Sequence, residues 1–477
     1  MNHCLTLAAL SVSLLSPRAS NVKAADRPNV VIILTDDQGT LDANCFGSKD
    51  LHTPNIDRLA KRGTRFTQSY SHTVCCPARA ALLTGRHPQR GAVNSWMQSD
   101  MHATSGLNMK TDEVTLAEVL KKAGYRTALF GKWHLGAHKD HGPMKQGFDE
   151  FFGIRDGFID NYNHFFLHRE GFHDLYEGTT EVFKRDEFFP EIMVNRALTF
   201  LEQKRDEPFF LYVPFNIPHY PEQSLKEHQK FYANLPEPRR SYASMVTTTD
   251  AYIGDLLNKL DECNLTDNTI VLFLSDNGHS EEDYSIKINN HSSGYPKGHN
   301  YGANGGGGNT GKWIGRKGTF LEGGIRTPAI ISYPPKLPKA AVRNQIVTAM
   351  DWFPTFLELC NVEKPDRKLD GHSALPVIRD PKAESAHKVL HYMWQEGWCV
   401  REGDWKLIGS NKPRENGTLP LSLHNLADKS PEIRNHVAEN PDLVKRLKRL
   451  HEKFEQDVFS ENKGPKVQRD PKRKLNL

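Results

Sequence analysis

Asn29–Thr35 (NVVIILT) is apolar and β-branched at almost every position, a pattern that predicts a strand buried on both faces, as in a parallel sheet. Ile270–Leu274 repeats it, and Tyr125–Phe130, Pro208–Val213 and Pro328–Ser332 predict further strands. Helical periodicity fills the intervals. A helix opens at Thr53-Pro54, carries Ile56, Leu59 and Ala60 on one face and stops near Gly63; others are predicted over Thr115–Ala123, Glu191–Lys204, Tyr242–Leu260 and Asp351–Leu359. Strands alternating with helices imply an α/β fold, a large mostly parallel sheet sandwiched by helices. Two stretches lack any period: residues 137–190, rich in aromatics and charges, and residues 280–315, polar and glycine-rich, which read as an insertion.

Composition shifts around Glu363–Lys368, where we set the boundary between a main domain (26–365) and a smaller C-terminal α+β subdomain (366–477) containing an antiparallel sheet. There, residues 389–395 and 398–408 predict a hairpin-like pair, Pro441–Phe454 an amphipathic helix, and Lys463–Lys474 a basic tail. At the other end, the apolar run Leu5–Leu15 is too short to span a bilayer and is followed by Val22-Lys23-Ala24-Ala25. Residues 1–25 therefore read as a secretory signal, and the protein as exported: periplasmic or extracellular, or lumenal as in a lysosome. No later stretch is long and apolar enough for a transmembrane helix.

Charge adds little. Sixty-two basic against 58 acidic residues leave a formal net charge of +4, too balanced to imply nucleic-acid binding. Seven cysteines, none in a C-x-x-C pair, argue against a zinc site or a disulfide scaffold. Gly306-x-x-x-x-Gly311-Lys312 has P-loop spacing, but Trp313 stands where Ser or Thr is needed, and no strand leads in; it reads as a surface loop.

The chemistry gathers at strand ends. Asn29–Thr35 runs into Asp36-Asp37, and Ile270–Leu274 into Ser275-Asp276-Asn277-Gly278. Two buried strands both ending in hard oxygen donors point to a divalent cation, calcium first and magnesium second, rather than to two solvated turns. Cys75-Cys76-Pro77-Ala78-Arg79 precedes an apolar run, so Cys75 falls at a helix N-terminus, where negative charge is favoured, and Arg79 suits an oxyanion. Lys132, His134, His219 and Lys317 each sit at or just after an element end, near glycine or proline.

Residues 75–86 (CCPARAALLTGR) resemble the sulfatase signature C-x-P-[SA]-R-x-x-x-[LM]-T-G-R. The resemblance extends over most of residues 28–410 through the Asp36-Asp37 strand end, G-K-W-H-x-G, P-H-x-P, S-D-N-G and K-G-x-x-x-E-G-G-x-R-x-P, all in the family's order. It implies an alkaline-phosphatase-like fold and hydrolysis of sulfate esters. It implies that a sulfatase-maturing enzyme converts Cys75 to formylglycine, and that Asp36, Asp37, Asp276, Asn277 and the modified Cys75 bind one Ca²⁺. Arg79 and His134 would position the formylglycine hydrate. Lys132, His219 and Lys317 would contact the sulfate, with either histidine protonating the leaving oxygen. One hydroxyl of the hydrate attacks sulfur, and the second lets the intermediate collapse to aldehyde and release sulfate. Asp370-Gly371-x-Ser373 and Lys406 match structural motifs; His279 has no assignment. A phosphonate or phosphate ester hydrolase of the same superfamily is the alternative, and a non-catalytic sulfated-glycan-binding protein a further one. The expected substrate is a sulfated carbohydrate or an aryl sulfate, with Trp96, Asp156, Asn161, His164 and the 280–315 insertion as candidate subsites.

Overall fold

Alternate side chains of Asn29–Thr35 (β1) enter different layers. Val30, Ile32 and Leu34 join one apolar cluster, and Val31 and Ile33 the other. This strand is central in the computed structural model, which describes residues 27–95, 108–302, 304–414 and 419–461. The other strands of its sheet are β2 (Thr64–Tyr70), β3 (Arg126–Lys132), β4 (Glu150–Ile154), β5 (Tyr176–Glu177), β6 (Thr180–Glu181), β7 (Phe209–Pro214), β8 (Thr269–Ser275), β9 (Ala329–Ser332) and β10 (Ala341–Thr348). Their spatial order is β10-β2-β9-β8-β1-β7-β3-β4-β5-β6. The centre is parallel (β8-β1-β7-β3-β4), as the continuous apolar runs predict, while β9 and β5–β6 run antiparallel.

Helices cover both faces. On one side lie α2 (Cys75–Thr84), α3 (Leu116–Lys122) and α6 (Trp352–Leu359); on the other lie α1 (Pro54–Arg62), α4 (Phe189–Glu202) and α5 (Arg239–Glu262). Helix α2 is buried at every position, so no amphipathic stripe marks it in the sequence. It ends at Gly85 in the left-handed region (φ 65°), where a Cβ would come within 2.8 Å of Phe353. Only glycine satisfies both demands.

Several strands escape the sequence reading, among them Glu150–Ile154, Leu421–Asn425 and two long strands of the main sheet. Thr64–Tyr70 and Ala341–Thr348 are polar at many positions because they lie toward the sheet's edge, with exposed or half-buried residues among the buried ones. In the C-terminal region, 398–408 is two strands rather than one. Gly397–Glu402 and Trp405–Ser410 fold back at Gly403 (φ 59°), and with Val389–Trp394 and Leu421–Asn425 they form a four-stranded antiparallel sheet. Helix α7 (Pro441–Ser460) packs on it through Val444, Leu447, Phe454 and Val458. No helix among the described residues is long and apolar enough to cross a membrane. The leader, Trp96 and the basic tail lie outside the described residues.

Candidate functional site

Strands β1 and β8 are parallel neighbours with Thr35 opposite Ser275, so the acidic residues that follow each strand emerge side by side. Asp37 turns there through a left-handed conformation (φ 64°). Its backbone N–H donates to Asp276 Oδ1 (3.2 Å), and Asn277 Nδ2 donates to Asp37 Oδ1 (2.6 Å).

Helix α2 points its N-terminus at this corner. The Cys75 thiol donates to Asp36 Oδ1 at 3.4 Å. Burial, then the Asp36 charge, pushes that thiol well above its ordinary pKa, so it is not the anion that a helix N-terminus alone would favour. One turn on, Arg79 is fully buried and committed to protein. Its Nε and Nη2 donate to Asp276 Oδ2 (3.1 and 2.9 Å), and Nη1 to the Lys132 carbonyl (2.8 Å). The sequence offers Arg79 as an oxyanion ligand; the fold instead uses it to orient Asp276 and the end of β3.

Lys132, the last residue of β3, pairs with Asp36 Oδ2. Lys317 Nζ lies 2.9 Å from Asp37 Oδ2 and 3.2 Å from Glu282 Oε2. Its backbone N–H donates to the carbonyl of His279, which gives that unassigned residue a place: it anchors the segment carrying Lys317. His219 Nδ1 lies 2.6 Å from the carbonyl oxygen of Tyr220, a partner that requires a donor, so Nε2 carries the lone pair and stands 3.7 Å from Asp37 Oδ2. His134 has a left-handed backbone (φ 58°) and lies against Gly157, with Nε2 4.0 Å from Asp156 Oδ1. Burial, and then nearby cations, lowers both histidines well below the usual range, and both are neutral.

The carboxylates are shifted in opposite directions. Burial would raise Asp36, but Lys132, His219 and Arg79 outweigh it and hold its carboxyl far below normal. Asp37 moves the other way: burial, only partly offset by Lys317 and reinforced by Asp36, Asp276 and Glu282, pushes it up to about 7. Donor atoms of Asp36, Asp37, Cys75 and His219 lie within 4.8 Å of one another, and Asn277 Oδ1 is buried with no hydrogen-bond partner. A crowded set of hard oxygens with one orphaned amide oxygen fits a hard divalent cation. Asp276 stands outside that close cluster, its oxygens taken by Arg79 and the Asp37 N–H.

The candidate subsite residues are arranged differently from expectation. Asp156, Asn161 and His164 expose no more than 1% of their surface. Asp156 lies beside His134 and Asp174; burial and Asp174 raise it to about 8. Asn161 accepts from Asn216 Nδ2 (2.6 Å), and His164 Nε2 meets the Glu187 carbonyl at 3.0 Å. All three lie within the 155–190 loops, as buried as Cys75 and Lys132. The residue overlooked in the sequence is Glu282, whose place in Ser280-Glu281-Glu282-Asp283 reads as a solvated acidic run. The 306–312 segment is an irregular loop whose Asn309 N–H is already taken by the Asp42 carboxylate (2.8 Å).

Comparison with known proteins matches residues 28–362 to the family model described as Sulfatase, and residues 312–458 to the one described as N-sulphoglucosamine sulphohydrolase, C-terminal. The chain is similar to N-acetylgalactosamine-6-sulfatase of Homo sapiens, at 33% identity over 463 residues, covering 88% of this chain and 81% of that one. It is similar to steryl-sulfatase of Homo sapiens at 30% identity over 454 residues, covering 77% and 73%. Among solved structures, Ps i-CgsB in complex with k-i-k-neocarrahexaose superposes with a TM-score of 0.75 at 28% identity, covering 91% of this chain and 94% of that one.

Proposed function

The chain belongs to the sulfatase family, and from that premise we propose that it is a sulfuric ester hydrolase that removes sulfate from a sulfated carbohydrate. The observation that carries this reading is the position of Cys75, at the tip of a buried helix, against Asp36 and among the ends of Lys132, Lys317 and His219. The similarity to N-acetylgalactosamine-6-sulfatase and to a structure holding a neocarrahexaose supports the substrate class.

Asp36, Asp37 and Asn277, with Asp276 and the converted Cys75, would hold Ca²⁺, or Mg²⁺ as second choice. Such a cation would offset charge on the sulfate oxygens, and a formylglycine derived from Cys75 would supply the hydroxyl nucleophile. This chain's own residues do the rest. Lys132 and Lys317 border the site as fixed cations and hold the sulfate oxygens. Arg79, through its fork on Asp276 and its bond to the Lys132 carbonyl, keeps both in place without touching substrate. His134 orients the hydrate. His219 enters with a bare Nε2; an anion bound beside it favours protonation there, giving a proton for the leaving oxygen. An N-terminal leader and a sulfatase-maturing enzyme complete the reading: export and conversion of Cys75 before activity.

The test is to co-express the protein with a sulfatase-maturing enzyme, measure the mass of the peptide containing residue 75, and assay sulfate release from sulfated sugars. Aldehyde at 75 with Cys76 intact, together with released sulfate, is expected. An unmodified Cys75 in a host that converts a control sulfatase would overturn the reading.

A further inference from the structure

Of the four carboxylates around Lys317 and Lys132, three are shut away: the side chains of Asp36, Asp37 and Asp276 are at most 1% exposed. The fourth, Glu282, is 26% exposed and comes from the irregular 280–315 insertion. It is held on both oxygens. Oε2 accepts from Ser280 Oγ (2.9 Å) and lies 3.2 Å from Lys317 Nζ, while Oε1 accepts from the Tyr284 hydroxyl (3.2 Å). Burial would raise this carboxyl, but Lys317, His219 and these hydrogen bonds hold it at about 2, so it is a fixed negative charge at neutral pH. An anion arriving at Lys317 meets it directly.

Hydrolysis of a sulfate monoester consumes water and a singly charged ester and gives an alcohol and hydrogen sulfate. The latter loses its proton to solvent at neutral pH, so the product carries two charges where the substrate carried one. A phosphate monoester also carries two at that pH. A fixed carboxylate repels a dianion about twice as strongly as a monoanion in the same place.

We propose that Glu282 is a specificity-determining residue of this site, admitting a singly charged sulfate ester and disfavouring dianions, both phosphate monoesters and the inorganic sulfate that hydrolysis releases. The inference rests on the proposed hydrolase function for its substrate and gives Glu282 two consequences: selectivity against phosphate and easier product release.

The test compares the mature, calcium-loaded protein with Glu282→Gln, Glu282→Asp and, as a control, Glu281→Gln, whose carboxylate faces Arg316. Calorimetry with inorganic sulfate needs no turnover and so reports on Glu282 even if phenyl sulfate is not hydrolysed, a failure that would fall on the proposed function alone. For Glu282→Gln, sulfate should bind about tenfold tighter or more, and the ratio of kcat/KM for phenyl phosphate to that for phenyl sulfate should rise by a similar factor. Glu282→Asp and Glu281→Gln should stay close to wild type. An unchanged sulfate affinity in Glu282→Gln at wild-type melting temperature, including no binding in either protein, would overturn the proposal. So would a change that moves sulfate and phenyl sulfate equally, the mark of a residue that only steadies Lys317.

Discussion

Asn277 donates to Asp37 at 2.6 Å across 240 positions of sequence, and its own Oδ1 is left buried with no group donating to it. A buried, unmatched amide oxygen is costly unless a cation or water completes it. Together with the upward shift of Asp37, it makes calcium binding the first property to measure.

Asn277→Ala deletes one oxygen donor and the bond that orients Asp37. Calcium affinity by calorimetry is expected to fall by about tenfold or more, since a lost charge-assisted contact is worth roughly 1.5 to 3 kcal/mol. In wild type, calcium at about 100 times its Kd should stabilise the fold by about 2.7 kcal/mol. That gain, read as a rise in melting temperature, should shrink in Asn277→Ala at the same calcium concentration.

Arg79 offers a different kind of test, because its guanidinium touches protein only. Arg79→Ala leaves Asp276 and Asp36 without a cation they need, and should cost about 3 to 5 kcal/mol in chemical unfolding. Arg79→Lys keeps the charge but not the fork. It should unfold closer to wild type yet lose kcat with little change in KM, the signature of a positioning residue.

The main features of the site are legible in the sequence because strand ends are. Asp36, Asp37, Asp276 and Asn277 follow uninterrupted apolar runs, and Cys75 precedes an apolar helix, so their positions follow from patterning. Asp156, Asn161 and His164 sit in loops without a period. There a polar residue that braces another loop's backbone looks the same as one that meets solvent. Glu282 fails for the opposite reason: an acidic run looks solvated until the fold places one member on Lys317. The break at Gly403 is a local signal, a Gly-Asp pair inside an apolar-alternating stretch, that a single long strand reading passes over.

Acid should loosen the seat of α7. The His391 ring stacks on Phe454 with centroids 4.4 Å apart, and His87 meets the same ring edge-on at 4.6 Å. Burial lowers His391 to about 3 and His87 to about 4. Above pH 6.5 both are neutral folded or unfolded and contribute no pH dependence. Below it the unfolded chain takes up protons that the folded one refuses, so stability falls as pH drops from 6.5 toward 4. Melting temperature against pH should show that slope, and His391→Phe, which keeps the stack without a titrating group, should make it shallower by one histidine's share.

Lys406 ties the C-terminal sheet to the segment that carries Lys317. Its ammonium, fully buried, lies 2.8 Å from both Glu322 Oε1 and Glu432 Oε1, and Glu322 also accepts from the Tyr70 hydroxyl and Arg326. Glu322 follows Lys317 by five residues, so the pair sets where that lysine stands. Lys406→Met leaves two buried carboxylates facing one another and should cost about 3 to 5 kcal/mol. The penalty comes mainly from the uncompensated charges rather than from lost attraction, so it should be recoverable. In Lys406→Met/Glu432→Gln one of those charges is gone, while Glu322 keeps Arg326 and Tyr70. The double variant should therefore be more stable than the single one in urea unfolding, even though it has fewer of the native ion pairs. If both variants also raise KM for a sulfate ester while kcat changes less, the network acts on the site through the position of Lys317. If the double variant is less stable than Lys406→Met, the two glutamates are held by something other than the lysine.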